Sequence, residues 1–151
     1  MGNMSFIHYV TKVLVDIMFF GGILACIALP FIMPLFTFAF GYSPTFGVNS
    51  LTLTLITSGI CAVYILYQLK SMLKTLISGE PFVHKNVSCL RKCGVASLLI
   101  ALIYLVRIIG AFTVGSAIIA ITFALAGLFS LTLKDVFKQA VFYKEENDWT
   151  V

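Results

Sequence analysis

The chain has 151 residues, 60% of them hydrophobic and 11% charged, with a net charge of +4 and a mean hydropathy of +1.05. A soluble domain carries about 25% charged residues, so the composition excludes water as the main solvent, and the length leaves no room for a soluble domain beside a membrane bundle. The positive charge is divided among short segments and forms no continuous polar face, which excludes direct binding of nucleic acid.

Met1 to Phe6 shows no basic cluster and no small-residue cleavage site, so no removable signal peptide is expected and the first apolar segment is read as a retained helix. The run from Val13 to Phe40 would reach about 42 Å as one helix, more than the ~30 Å hydrocarbon core. Pro30 and Pro34 each remove a backbone donor, which predicts a kink or an end near Leu29. Phe31 to Phe40 is then either a tilted continuation or an interfacial aromatic segment, and Gly41 to Ser50 an uncharged, turn-rich loop.

The second span runs from about Leu51 to Leu69. Past it, Leu69, Met72, Leu73, Leu76 and Ile77 keep a helical stripe opposite Lys70, Ser71 and Lys74, which predicts an amphipathic stem to about residue 78. Gly79 is the expected C-cap, with Pro81 close behind it. Asn86 or Ser88 is expected to cap the third helix, which spans about 93–110 with Arg91 and Lys92 at its start. A tight turn over Gly110 to Ser116 leads to a fourth span over 116–133. Its stripe continues as a second stem through Val136, Phe137, Ala140 and Val141 to about residue 143. The expected fold is therefore all-α, a single four-helix transmembrane bundle with amphipathic extensions. All Lys and Arg residues except Arg107 fall at or beyond one end of these spans, which puts both termini and the middle loop in the cytoplasm.

Charges inside spans are the first suspects for chemistry. Asp16 follows Lys12 by one helical turn, so an i, i+4 pair at the membrane edge, or a hydrogen bond to a neighbouring helix, accounts for it against ion or proton handling. Arg107 lies near the outer end of its span, where its side chain can snorkel to headgroups. The two are expected to sit about 15 Å or more apart along the membrane normal, so no charge relay is expected.

Cys26 and Cys61 lie in apolar spans; Cys89 and Cys93 are one turn apart with His84 upstream. Zinc sites need about four ligands at tighter spacings, so reduced, packed thiols are expected, with no metal and no cofactor. Gly21, Gly22, Gly59 and Gly127 are read as sites of close helix packing. The acidic end, Glu145, Glu146, Asn147 and Asp148 followed by Trp149, is read as a solvated tail, with two alternatives in which Trp149 anchors at the membrane interface or the tail docks on the middle loop, its acids then near Lys85, Arg91 or Lys92 and its indole against Pro81 and Phe82.

Gly79-Glu80-Pro81-Phe82-Val83-His84-Lys85-Asn86 with Leu90-Arg91, together with Val136-Phe137 and the end from Glu145 to Val151, resembles the YoaS-like family of bacterial membrane proteins, a domain of unknown function. The loop pattern maps onto Gly79, Pro81, Phe82, Asn86, Leu90 and Arg91. The tail pattern maps onto Glu146, Asn147, Asp148, Thr150 and Val151, with Trp149 where an aliphatic residue is more usual. Genes of that family often stand beside those of very small helix-turn-helix regulators. The resemblance thus implies a multi-pass protein of the bacterial cytoplasmic membrane that binds such a regulator through Glu80, Pro81, Phe82, Asn86, Arg91 and the residues from Glu145 to Trp149. Expected partners are the lipid bilayer, that small cytosolic DNA-binding protein and a second copy of the chain. The competing class is a small transporter, channel or toxin-immunity protein in which Asp16, Arg107, Thr52, Thr54, Thr57 and Ser58 line a polar path. An enzyme lacks a nucleophile, an acid-base pair and a metal set, and is not expected.

Overall fold

In a hydrocarbon solvent every backbone donor and acceptor must find a partner within the protein, and a chain this apolar meets that demand with helices. The computed structural model describes residues 6–39 and 46–149, and consists of α1 (Phe6–Ala39), α2 (Phe46–Ile77), α3 (His84–Gly110) and α4 (Val114–Trp149). All four are long and apolar enough to cross a membrane. The all-α, four-helix bundle expected from the sequence is the observed fold.

Several boundaries differ from expectation. Of the two outcomes expected at the prolines, an end near Leu29 is not seen: α1 runs through Pro30 and Pro34 to Ala39, so 31–39 continues the helix. Lipid explains the difference, since ending the helix there would leave more unpaired carbonyls and amides in hydrocarbon than the prolines themselves do. α2 begins at Phe46, inside the expected loop, of which 41–45 lie outside the described residues. α3 starts at His84, a few residues before the start expected at Asn86 or Ser88. Its N-cap is Val83, with no side-chain cap hydrogen bond, so neither Asn86 nor Ser88 caps it. α4 remains helical to Trp149, past the expected stem end at 143. Its 36 residues make a rod of about 54 Å, which outreaches the ~30 Å hydrocarbon core by well over 20 Å.

Neighbouring helices are antiparallel. Gly22 faces Val63 and Gly59 faces Cys26 across α1 and α2, while Ser130 Oγ on α4 donates to the Leu90 carbonyl of α3 at 2.9 Å. Packing follows chain order. Each helix lies against its sequence neighbours, and no Cα of α1 comes within 8 Å of α3 or α4 among the described residues. The array therefore has two ends: a hairpin end with the turn from Gly110 to Val114, and a stem end with the 78–83 turn and the far end of α4. Its core, Ile100, Tyr104 and Ala120, lies between α3 and α4, flanked by Cys61, Ala62 and Ile65 of α2.

Within the α2 stem Met72, Leu73 and Ile77 of the expected stripe are partly buried, while Leu69 and Leu76 stay exposed. In the α4 stem Val141 is buried and Val136 exposed.

The closest crossing is between α3 and α4. A Cβ on Gly94 would stand 2.8 Å from the Leu131 side chain and 3.1 Å from the Gly127 carbonyl. On Gly127 it would stand 2.8 Å from Leu98 and 3.0 Å from the Gly94 carbonyl. The two backbones thus touch, as small residues permit between membrane helices. Gly21, by contrast, has nothing within 4 Å and is not a packing glycine. Gly94→Ala or Gly127→Ala should lower stability by about 1–3 kcal/mol through overpacking, with Gly21→Ala close to neutral. Thermal unfolding of the purified protein in one fixed detergent checks the ranking.

Candidate functional site

The stem end is organised by one amide. Asn86 is 1% exposed. Its Nδ2 donates to the Pro81 carbonyl at 2.7 Å and its Oδ1 lies 2.8 Å from Thr75 Oγ1 of α2. The same hydroxyl sits 2.8 Å from the Met72 carbonyl, so its single proton is shared between two acceptors. Because a buried amide without partners costs about 1–3 kcal/mol, this pattern holds the 78–83 turn in one shape. Gly79 makes that turn possible. Its φ of +82° is the left-handed conformation, and Gly79 N–H to Leu76 O (3.2 Å) with Glu80 N–H to Thr75 O (3.1 Å) closes the end of α2.

The turn also rests on α4. The Phe82 and Phe137 rings stand 5.6 Å apart at 50°, and His84 Nε2 lies 2.9 Å from Glu145 Oε1. The residues around Gly79 and those near the chain's end are thereby brought together, but through other partners than the sequence suggested. Glu145 meets His84, and no ion pair joins Glu145, Glu146 or Asp148 to Lys85, Arg91 or Lys92 among the described residues. Phe82 packs on Phe137, whereas Trp149 is 89% exposed. The reason is helical continuation, since α4 carries Trp149 onward along its axis and does not fold it back as a tail. Glu80 and Arg91 are exposed, and Thr150 and Val151 lie outside the described residues.

The intramembrane charges are separate from this surface. Asp16 pairs with Lys70 of α2 at 2.8 Å, so of the two expected arrangements its partner lies on a neighbouring helix and is not Lys12, because antiparallel packing sets residue 16 opposite residue 70. The ammonium meets Asp16 Oδ1 off the hydrogen-bonding direction, so charge rather than an aligned hydrogen bond joins them. It also lies 5.5 Å from the centroids of the Phe19 and Phe20 rings, a cation–π position. Arg107 is half-buried toward the hairpin end and is not brought to Asp16. Thr54 and Thr57 donate back to the Ser50 and Leu53 carbonyls at 2.8 Å each. Cys89 and Cys93 are buried within α3, and the described residues hold no group of three His, Cys, Asp or Glu side chains that could bind a metal.

The family described as "Protein of unknown function (DUF2975)" matches residues 12–151. The chain belongs to that family. Its matched segment covers all the features above, from the Asp16 pair to the end of α4. No curated protein and no solved structure matches the chain.

Sequence reasoning missed Thr75 and the pairings of Phe137 with Phe82, Lys70 with Asp16 and His84 with Glu145. Thr75 had a usable signal, since it is a polar residue set among Met72, Leu73, Leu76 and Ile77 on an apolar stem. Asn86→Leu and Thr75→Val should each destabilise the stem end by about 1–3 kcal/mol. His84→Ala should cost no more than ~1 kcal/mol, because its pair with Glu145 is exposed. Amide hydrogen exchange and limited proteolysis over 78–83 separate these outcomes.

Proposed function

We propose that this member of the family is a non-enzymatic regulator of the bacterial cytoplasmic membrane, with its stem end in the cytoplasm, where it holds a small, basic helix-turn-helix DNA-binding protein. The reading is carried by the end of α4, where exposed Glu146 and Asp148 flank a Trp149 that is 89% exposed. Trp149 lies 15 residues past Lys134, about 22 Å along a helix. With α4 along the membrane normal, the bilayer does not reach it. A single exposed Trp among acids suits a basic protein surface: the acids steer the encounter and the indole anchors it. Arg91, Pro81, Phe82 and Glu80 at the neighbouring turn would extend the contact, and Asn86 would act by holding that turn in place.

A solute path is less well supported, since Thr54 and Thr57 spend their hydroxyl protons on their own helix and Asp16 is neutralised by Lys70.

In the orientation this reading requires, reporter fusions at both termini and at Lys85 should report the cytoplasm, and one at Asn49 the opposite side. Cysteine labelling that put Asn49 and Lys85 on the same side would defeat it. Affinity capture from solubilised membranes, with mass spectrometry of what co-purifies, tests the partner. Deletion of Glu145 to Val151 should leave insertion intact and abolish capture of the DNA-binding protein. Trp149→Ala should weaken capture about tenfold or more, and Glu145→Gln much less. Full capture by the deleted protein would sink the proposal.

A further inference from the structure

Toward the hairpin end, α2 and α3 part to form a cleft of about 630 Å³ walled by Leu53, Thr54, Thr57, Leu102 and Val106, with Arg107 among its lining residues. The walls are mostly apolar, and the threonine hydroxyls are occupied by the Ser50 and Leu53 carbonyls. Arg107 is the one charged group of the cleft. It makes no ion pair and no side-chain hydrogen bond among the described residues. The sequence accounts for this, since it has no Asp or Glu between Asp16 and Glu80, or between Glu80 and Asp135. The carboxylates of the chain all belong to its stem end, so the chain has none to offer a guanidinium toward the hairpin end.

A half-buried cation in an apolar cleft without an internal counter-charge calls for an external anion, and a surface embedded in hydrocarbon favours one that brings its own apolar chain. We infer that this cleft is a binding site for one anionic phospholipid, its phosphate on the Arg107 guanidinium and an acyl chain along Leu53, Leu102 and Val106. The guanidinium fork suits two oxygens of one phosphate. A net negative headgroup is selected over a zwitterionic one because the latter carries its own ammonium beside the phosphate. The site is independent of partner binding at the stem end, and either can fail without the other.

The test uses the full chain, purified in detergent and titrated with phosphatidylglycerol, phosphatidylcholine or inorganic phosphate, read by native mass spectrometry of bound lipid and by thermal unfolding. Phosphatidylglycerol should bind preferentially and raise the unfolding temperature. Arg107→Gln should cut that preference about tenfold, the scale of one charge-assisted contact, while Arg107→Lys, which keeps the charge and loses the fork, should fall between Arg107→Gln and the unaltered protein. Leu102→Trp should fill the cleft and reduce lipid retention with the charge still in place. Should Arg107→Gln fold poorly, Leu102→Trp carries the test alone, because Leu102 is 56% exposed and tolerates a larger side chain. Unchanged phosphatidylglycerol preference in Arg107→Gln or in Leu102→Trp would overturn the proposal. Stabilisation by inorganic phosphate equal to that by phosphatidylglycerol would also overturn it, marking a small-anion site instead.

Discussion

Contact between the backbones of Gly94 and Gly127 governs the geometry of the stem end. Apolar surface gains little by leaving lipid for another helix, so membrane helices hold together through close van der Waals packing and a few hydrogen bonds. With two glycines opposed, α3 and α4 approach until each carbonyl meets the other's Cα, and Ser130 adds a bond to the Leu90 carbonyl one turn away. That crossing sets how α4 lies against α3. This arrangement in turn sets Phe137 beneath Phe82 and Glu145 beside His84, so a surface feature at the end of the rods is placed by a contact deep between them.

Polar groups fall into two regimes. Asn86 is shielded from solvent and, bonded to the partly buried Thr75 and to the Pro81 carbonyl, holds the 78–83 turn, because losing either partner would strand its amide. Asp16 and Lys70 are only partly covered, and their pairing neutralises charge in an otherwise apolar stretch of α1. Removing one partner matters more in both cases than the pair contributes on its own.

What the sequence made legible is the part governed by local rules. The four apolar helices, the left-handed Gly79 and the packing role of Gly22, Gly59 and Gly127 follow from length, hydropathy and backbone freedom. What escaped depends on antiparallel register. Spacing offers Asp16 only Lys12, and the true partner appears once residue 16 faces residue 70. Asn86 looks like a cap because Asn often caps helices, yet burial against Thr75 turns it into a bridge between elements. Gly94 stands at the start of the span expected over 93–110, and only the register of α3 against α4 shows that Gly127 lies opposite it. The acidic end was read as a tail because its charges suggested solvent, which a projecting helix satisfies equally well.

The strictly sequential packing bears on how the chain is made. Since, among the described residues, the backbone of α1 approaches only that of α2, and the backbone of α4 only that of α3, no helix needs a neighbour that has yet to be synthesised before its predecessor can dock. Each interface closes a short stretch of chain, the kind of topology that keeps the entropy of assembly low and its rate high. The extensive α3 and α4 pair forms last, from the last two helices to emerge, while α1 hangs on a single seam. A hinge about that seam would swing α1 in the plane of the bilayer and leave the glycine crossing untouched.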